Sequence, residues 1–175
     1  MKILSFDLEL NQDPSGAKII EVGACIGDLA TFQIVERYSA FVNPHQKLVD
    51  AIITLTSITQ QQVDAGTSIT EAYQGMEAMA KRHDCLTLPL VWGGGDGQAI
   101  RQELPEDVKW SFGRRELDVK AVFQAYQMAK GEKVQAGLAK ALTRLGLAFQ
   151  GRKHRADDDA INTFWIYCEL LKRFV

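Results

Sequence analysis

The chain has 175 residues, 46% of them hydrophobic and 24% charged, with a formal net charge of −2. These proportions fit a single globular domain over residues 1–175 and exclude a disordered chain and a protein that coats nucleic acid by bulk positive charge. No apolar run approaches the roughly 20 residues needed to cross a bilayer, so a membrane partner is excluded too.

In chain order, Lys2 to Phe6 reads as a short buried strand. Ala17 to Ile26 is rich in β-branched and apolar residues, and Thr31 to Val42 alternates in polarity, so both read as strands. The segment 11–16 (NQDPSG) and Gly27-Asp28 supply turn residues between them. Connections this short require antiparallel neighbours, so the chain opens as a three-strand meander. From Ser57 the period changes, and Ile69, Ala72, Tyr73, Met76, Met79 and Ala80 mark an amphipathic helix with Thr70 as its cap. Leu86 to Trp92 reads as a strand running into Gly93-Gly94-Gly95. Helical patterns follow over Val119–Met128, Gln135–Leu145 and Asp158–Leu171, with Gly131 and Gly146 as helix-ending glycines. Strands followed by alternating helix and strand predict an α/β fold, a mixed sheet flanked by helices.

Charge is unevenly spread. Before residue 90 there are six basic against eleven acidic residues, and after it fourteen against eleven. The basic residues gather at Lys109, Arg114 and Arg115 and again at Arg152, Lys153 and Arg155, and such local clusters can hold phosphate. Cys25, Cys85 and Cys168 are odd in number and scattered, which predicts reduced, buried thiols. With an N-terminus that reaches Asp7 too early for a secretory leader, they predict a cytoplasmic location.

Three groups of residues carry chemistry. Asp7 and Glu9 stand two apart at the end of an apolar strand, so both carboxylates leave the same face. Paired acids beside a core are costly unless a cation neutralises them, and hard oxygen donors suit Mg²⁺ or Mn²⁺. A solvated strand end is the plainer reading of the pair taken alone. Asp96 follows the three glycines at a strand-to-helix junction, where it would also serve as a helix cap. The glycines fail the G-x-G-x-x-G register, which disfavours a nucleotide-cofactor oxidoreductase. Asp157, Asp158 and Asp159 complement a helix start, while His154 sits in the loop before it, between Lys153 and Arg155.

Asp7-x-Glu9, Asp96 and His154-x₄-Asp159 together resemble the motifs of the DEDDh 3′–5′ exonucleases, the DnaQ-like and ribonuclease T superfamily. The resemblance extends over Ile19–Ala24, Phe41–Pro44, Leu55–Val63, Leu138–Leu147 and Gly151–Ala160, and is similar in style to the Eri1-like branch. It implies a ribonuclease H-like sheet and two divalent cations, Mg²⁺ or Mn²⁺, held by Asp7, Glu9, Asp96 and Asp159, with Asp7 bridging. It implies His154 as general base, and nucleoside 5′-monophosphates released from the 3′ ends of single-stranded RNA or DNA. Leu8, Leu10, Asn11, Lys153 and Arg155 are the expected substrate contacts. The chain departs from the pattern at Leu10-Asn11, Gly95 and Ser57, all beside the expected nucleotide pocket. An alternative reading is a catalytically weak nucleic-acid-binding or polymerase-accessory module on the same fold. A homodimer is left open.

Overall fold

The computed structural model describes residues 1–14, 16–134 and 137–174. Its centre is a five-stranded sheet in the order β3-β2-β1-β4-β5. Strands β1 (Lys2–Asp13), β2 (Gly16–Asp28) and β3 (Gln33–Phe41) form the expected antiparallel meander. Strands β4 (Leu90–Val91) and β5 (Leu117–Asp118) add in parallel, with β4 beside β1 at Ser5 and Leu90. The sheet is therefore mixed, as the sequence predicts.

Among the described residues seven helices complete the fold: α1 (Asp50–Thr56), α2 (Gln60–Asp64), α3 (Ile69–Arg82), α4 (Asp96–Glu103), α5 (Val119–Ala129), α6 (Leu138–Leu145) and α7 (Ala156–Phe174). Strand alternation divides them between the two faces. Leu4, Phe6 and Leu8 pack with Ala72, Tyr73, Met76 and Ile100 of α3 and α4. On the other face, Cys25 and Leu90 pack with Phe123, Leu142, Phe164 and Leu170 of α5, α6 and α7. Helix α7 crosses β1 and β2 so closely that a Cβ on Gly23 would lie 1.9 Å from the Asp157 amide nitrogen. The Ser5 hydroxyl donates to the Ala160 carbonyl at 2.8 Å across the same junction.

Several boundaries differ from the sequence reading. β1 runs on to Asp13, through residues that read as a turn, because Asn11 and Gln12 pair with Lys18 and Ala17 in a long ribbon. A bulge falls between Glu9 and Leu10. Only Leu90 and Val91 of the expected Leu86–Trp92 strand join the sheet. Pro89 has no N–H for a ladder, and Leu86 instead accepts from the Gly113 N–H. The cap of α3 is Ser68 rather than Thr70, and Glu71 closes a reciprocal capping box with it. The expected start of α6 at Gln135 lies outside the described residues, and α6 is helical from Leu138 to its αL cap at Gly146. Cys25, Cys85 and Cys168 are free and buried. Among the described residues no helix is long and apolar enough to cross a membrane.

Candidate active site

Alternation on β1 sends Leu8 into the α3 face and Asp7 and Glu9 towards α7. There they meet Asp159, in the first turn of α7. A carboxylate oxygen of Glu9, one of Asp159 and a ring nitrogen of His154 all lie within 4.8 Å of one another. Asp96 comes from the opposite side, as the first residue of α4.

Each acid is forced upward in pKa. Burial, then the charges of Asp96, Asp159 and Glu9, hold Asp7 well above the usual carboxylate range. It is the group that feels all three of the others. Burial and the charges of Asp159 and Glu21 push Glu9 to about 8. Burial, helped by Glu116 and Asp118, brings Asp96 to about 7. Burial likewise brings Asp159 to about 7, although it accepts the His154 amide. Four crowded carboxyls, Glu9 buried and the others partly so, that resist ionisation fit a site that takes a cation. A second observation agrees, since Asp159 Oδ1 is buried without a hydrogen-bond partner. The donors are all oxygen, so the residues fit a hard divalent cation.

The supports of the site come from local chemistry. Gly93, Gly94 and Gly95 all adopt positive φ (98°, 71° and 105°), which lets the backbone reverse sharply before Asp96. Two carboxylates hold this loop. Asp118 accepts from the Gly93 N–H at 2.9 Å, and Glu116 accepts from the Gly95 and Gly97 amides. Glu116, not Asp96, thus caps α4, and Gly95 occupies the N-cap position.

The segment before α7 is fastened to the helix it precedes. Asn162 exchanges bonds with the Gln150 N–H and C=O at 3.0 and 2.8 Å, and Asp158 accepts from the Arg152 N–H at 2.8 Å. Asp157 and Asp158 are both neutralised by Arg37 of β3, at 2.5 and 2.9 Å. Asp159, alone of the three, is left facing the site. His154 itself is exposed, with φ 60°.

The expected substrate contacts take other places. Leu8 is in the core and Leu10 packs against it. Asn11 is buried and braces the loop 46–49, donating to Gln46 Oε1 and the Lys47 carbonyl and accepting from the Val49 N–H. Arg155 turns inward to Glu21, with Nη2 at 2.7 Å from Oε1, and its guanidinium lies over the Phe41 ring. Lys153 alone lines open space, in a cleft of about 550 Å³ shared with Leu138, Phe149, His154 and Asp159. Glu21 was missed in the sequence. Its signal was a charge in the middle of the apolar run 19–26, where only a paired acid can be buried.

The fold and site define an α/β domain with a cluster of acids on and around its central strand β1. The sequence profile of the exonuclease family matches residues 4–167, and the chain belongs to that family. ERI1 exoribonuclease 2 of Mus musculus is 25% identical over 182 residues, covering 90% of this chain and 26% of that protein. The 3′-5′ exonuclease Snipper of Drosophila melanogaster is 25% identical over 177 residues, covering 89% of this chain and 62% of its own length. The chain thus spans from about a quarter to less than two-thirds of these relatives. The nuclease domain of 3′hExo, a DEDDh family member solved with rAMP, superposes with a TM-score of 0.83 at 23% identity. The match covers 98% of this chain and 92% of that one, so the two share a ribonuclease H-like fold.

Proposed function

We propose that this chain is a metal-dependent 3′–5′ exonuclease that releases nucleoside 5′-monophosphates from single-stranded RNA or DNA. The observation that carries the reading is the convergence of Glu9, Asp159 and the His154 ring within 4.8 Å. Membership of the exonuclease family supports the same chemistry.

Asp7, Glu9, Asp96 and Asp159 would hold divalent ions, Mg²⁺ or Mn²⁺. Such ions lower the cost of charge on the attacking and leaving oxygens of an in-line displacement. The protein's own part is orientation and proton transfer. A ring nitrogen of His154 lies within 4.8 Å of a carboxylate oxygen of Glu9 and one of Asp159, near enough to accept a proton from a water held beside them. Its imidazole takes a proton from water as the water oxygen bonds to phosphorus. The phosphorus–O3′ bond breaks, the 3′ oxygen gains a proton from solvent, and the 5′-phosphate leaves with the terminal nucleoside. The fastened segment 150–155 keeps the ring over the acids. Free, buried cysteines support a reducing, cytoplasmic setting; burial pushes the Cys168 thiol up to about 12.

The test is digestion of 3′- and 5′-labelled single-stranded RNA and DNA with Mg²⁺ or Mn²⁺. Mononucleotides should leave the 3′-labelled strands first, and EDTA should stop the reaction. Binding without cleavage under either cation would replace this reading with the accessory-module alternative.

A further inference from the structure

Two clefts open on the α6 side of the molecule, and they are continuous. The inner one, lined by Leu138, Phe149, His154 and Asp159, shares Ala139, Lys140 and Lys153 with an outer one that ends at Thr143 and Arg144. A trough thus leads from the acidic centre outward along the exposed face of α6.

Its charge is polarised. Among the described residues the only carboxylate in the lining is Asp159, at the inner end, whereas Lys153, Lys140 and Arg144 follow outward. All three cations are exposed. Arg144 also pairs with Glu132 through Nε at 2.9 Å, which leaves its two Nη groups to reach a second anion. Lys140 and Arg144 are four apart on α6, so their Cβ atoms sit about 5–6 Å from one another on one face. That is the order of spacing between successive phosphates of an extended strand. The inner cleft adds an apolar wall of Leu138 and Phe149, which suits the faces of bases. On a chain with a net charge of −2, this row is a local feature rather than part of a generally basic surface.

Building on the nuclease reading above, we propose that this trough carries the sugar–phosphate backbone on the 5′ side of the cleaved bond. Lys153, Lys140 and Arg144 are its successive phosphate contacts. The trough therefore sets how strongly the enzyme prefers a strand over a single nucleotide.

The experiment compares two substrates under Mn²⁺: the p-nitrophenyl ester of thymidine 5′-monophosphate, which fills only the reacting position, and a single-stranded ten-nucleotide oligomer. Wild type is measured against Lys140→Ala/Arg144→Ala and a control, Lys81→Ala/Arg82→Ala. Lys81 lies on α3, which packs on the opposite face of the sheet. For Lys140→Ala/Arg144→Ala, ester turnover should be unchanged and the oligomer KM should rise. Its slope of log KM against log salt should fall by about 0.7 for each cation removed. The control should match wild type. If Lys140→Ala/Arg144→Ala keeps the wild-type oligomer KM and slope, or the control shifts them equally, the trough is not the strand path. If wild type cleaves neither substrate, the nuclease reading itself falls and the inference goes with it.

Discussion

At the scale of single residues, the candidate site separates exposed groups such as His154 from buried groups that brace it. His154 is exposed, and among the described residues its ring makes no hydrogen bond, so His154→Ala should leave the melting temperature near wild type. Turnover should fall about 10²–10⁴-fold, the usual contribution of a general base. A variant that melts early yet cleaves normally would make His154 a structural residue instead. Glu21 is the opposite case. It is fully buried, and it accepts from the Arg155 guanidinium, the Ala156 N–H and the Ser39 hydroxyl. Removing its charge strands Arg155 in a part-buried position, so Glu21→Ala should cost about 3–5 kcal/mol. Chemical denaturation measures this directly, and a loss under 1 kcal/mol would show that the pair is dispensable. The five candidate site residues, Asp7, Glu9, Asp96, His154 and Asp159, were legible in the sequence because together they resemble the motifs of a known family. Their brace, Glu21, was not, since a buried acid announces itself only once its partner is known to lie 134 residues away.

At the scale of elements, the packing of α7 onto β2 decides the geometry of the site. Gly23→Ala would place a methyl 1.9 Å from backbone of Asp157, where no rotamer change can relieve it. Overpacking of this kind costs about 3 kcal/mol, and in a chain of this size each kcal/mol lowers Tm by about 2–4 °C. Thermal melting of Gly23→Ala checks this, and an unchanged Tm would mean that α7 can slide without penalty. Helix periods and the meander were readable because burial imposes them on the residue pattern. The reach of β1 beyond Phe6 was not, because Asn11 spends its amide on the loop 46–49, a long-range contact that its turn-like composition conceals. Strand β4 was overread for the reverse reason: an apolar run with Pro89 inside it packs without pairing.

At the scale of the whole molecule, the acidic centre makes stability depend on pH. Glu9 is raised to about 8 and Asp96 and Asp159 to about 7, against an unfolded value near 4. Between those values the folded chain holds more protons than the unfolded one, so stability falls as pH rises from about 4 to 8. In EDTA the Tm should therefore be higher at pH 5 than at pH 8, and Mn²⁺ should restore most of the loss at pH 8. A Tm in EDTA that is flat or rises over this range would show that the acids are not crowded as described.

The docking of α7 has one more consequence, which concerns time. Asp7 and Glu9 stand near one end of the chain and Asp159 near the other, so the centre is closed by contacts about 150 residues apart. Contacts of such high sequence separation form late in folding. During synthesis, a ribosome that has completed β1, β2 and β3 holds a chain with two of the four acids and no His154. The candidate set is complete only after α7 has emerged and docked, so on the proposed function the growing polypeptide has no assembled cutting centre beside the message that encodes it.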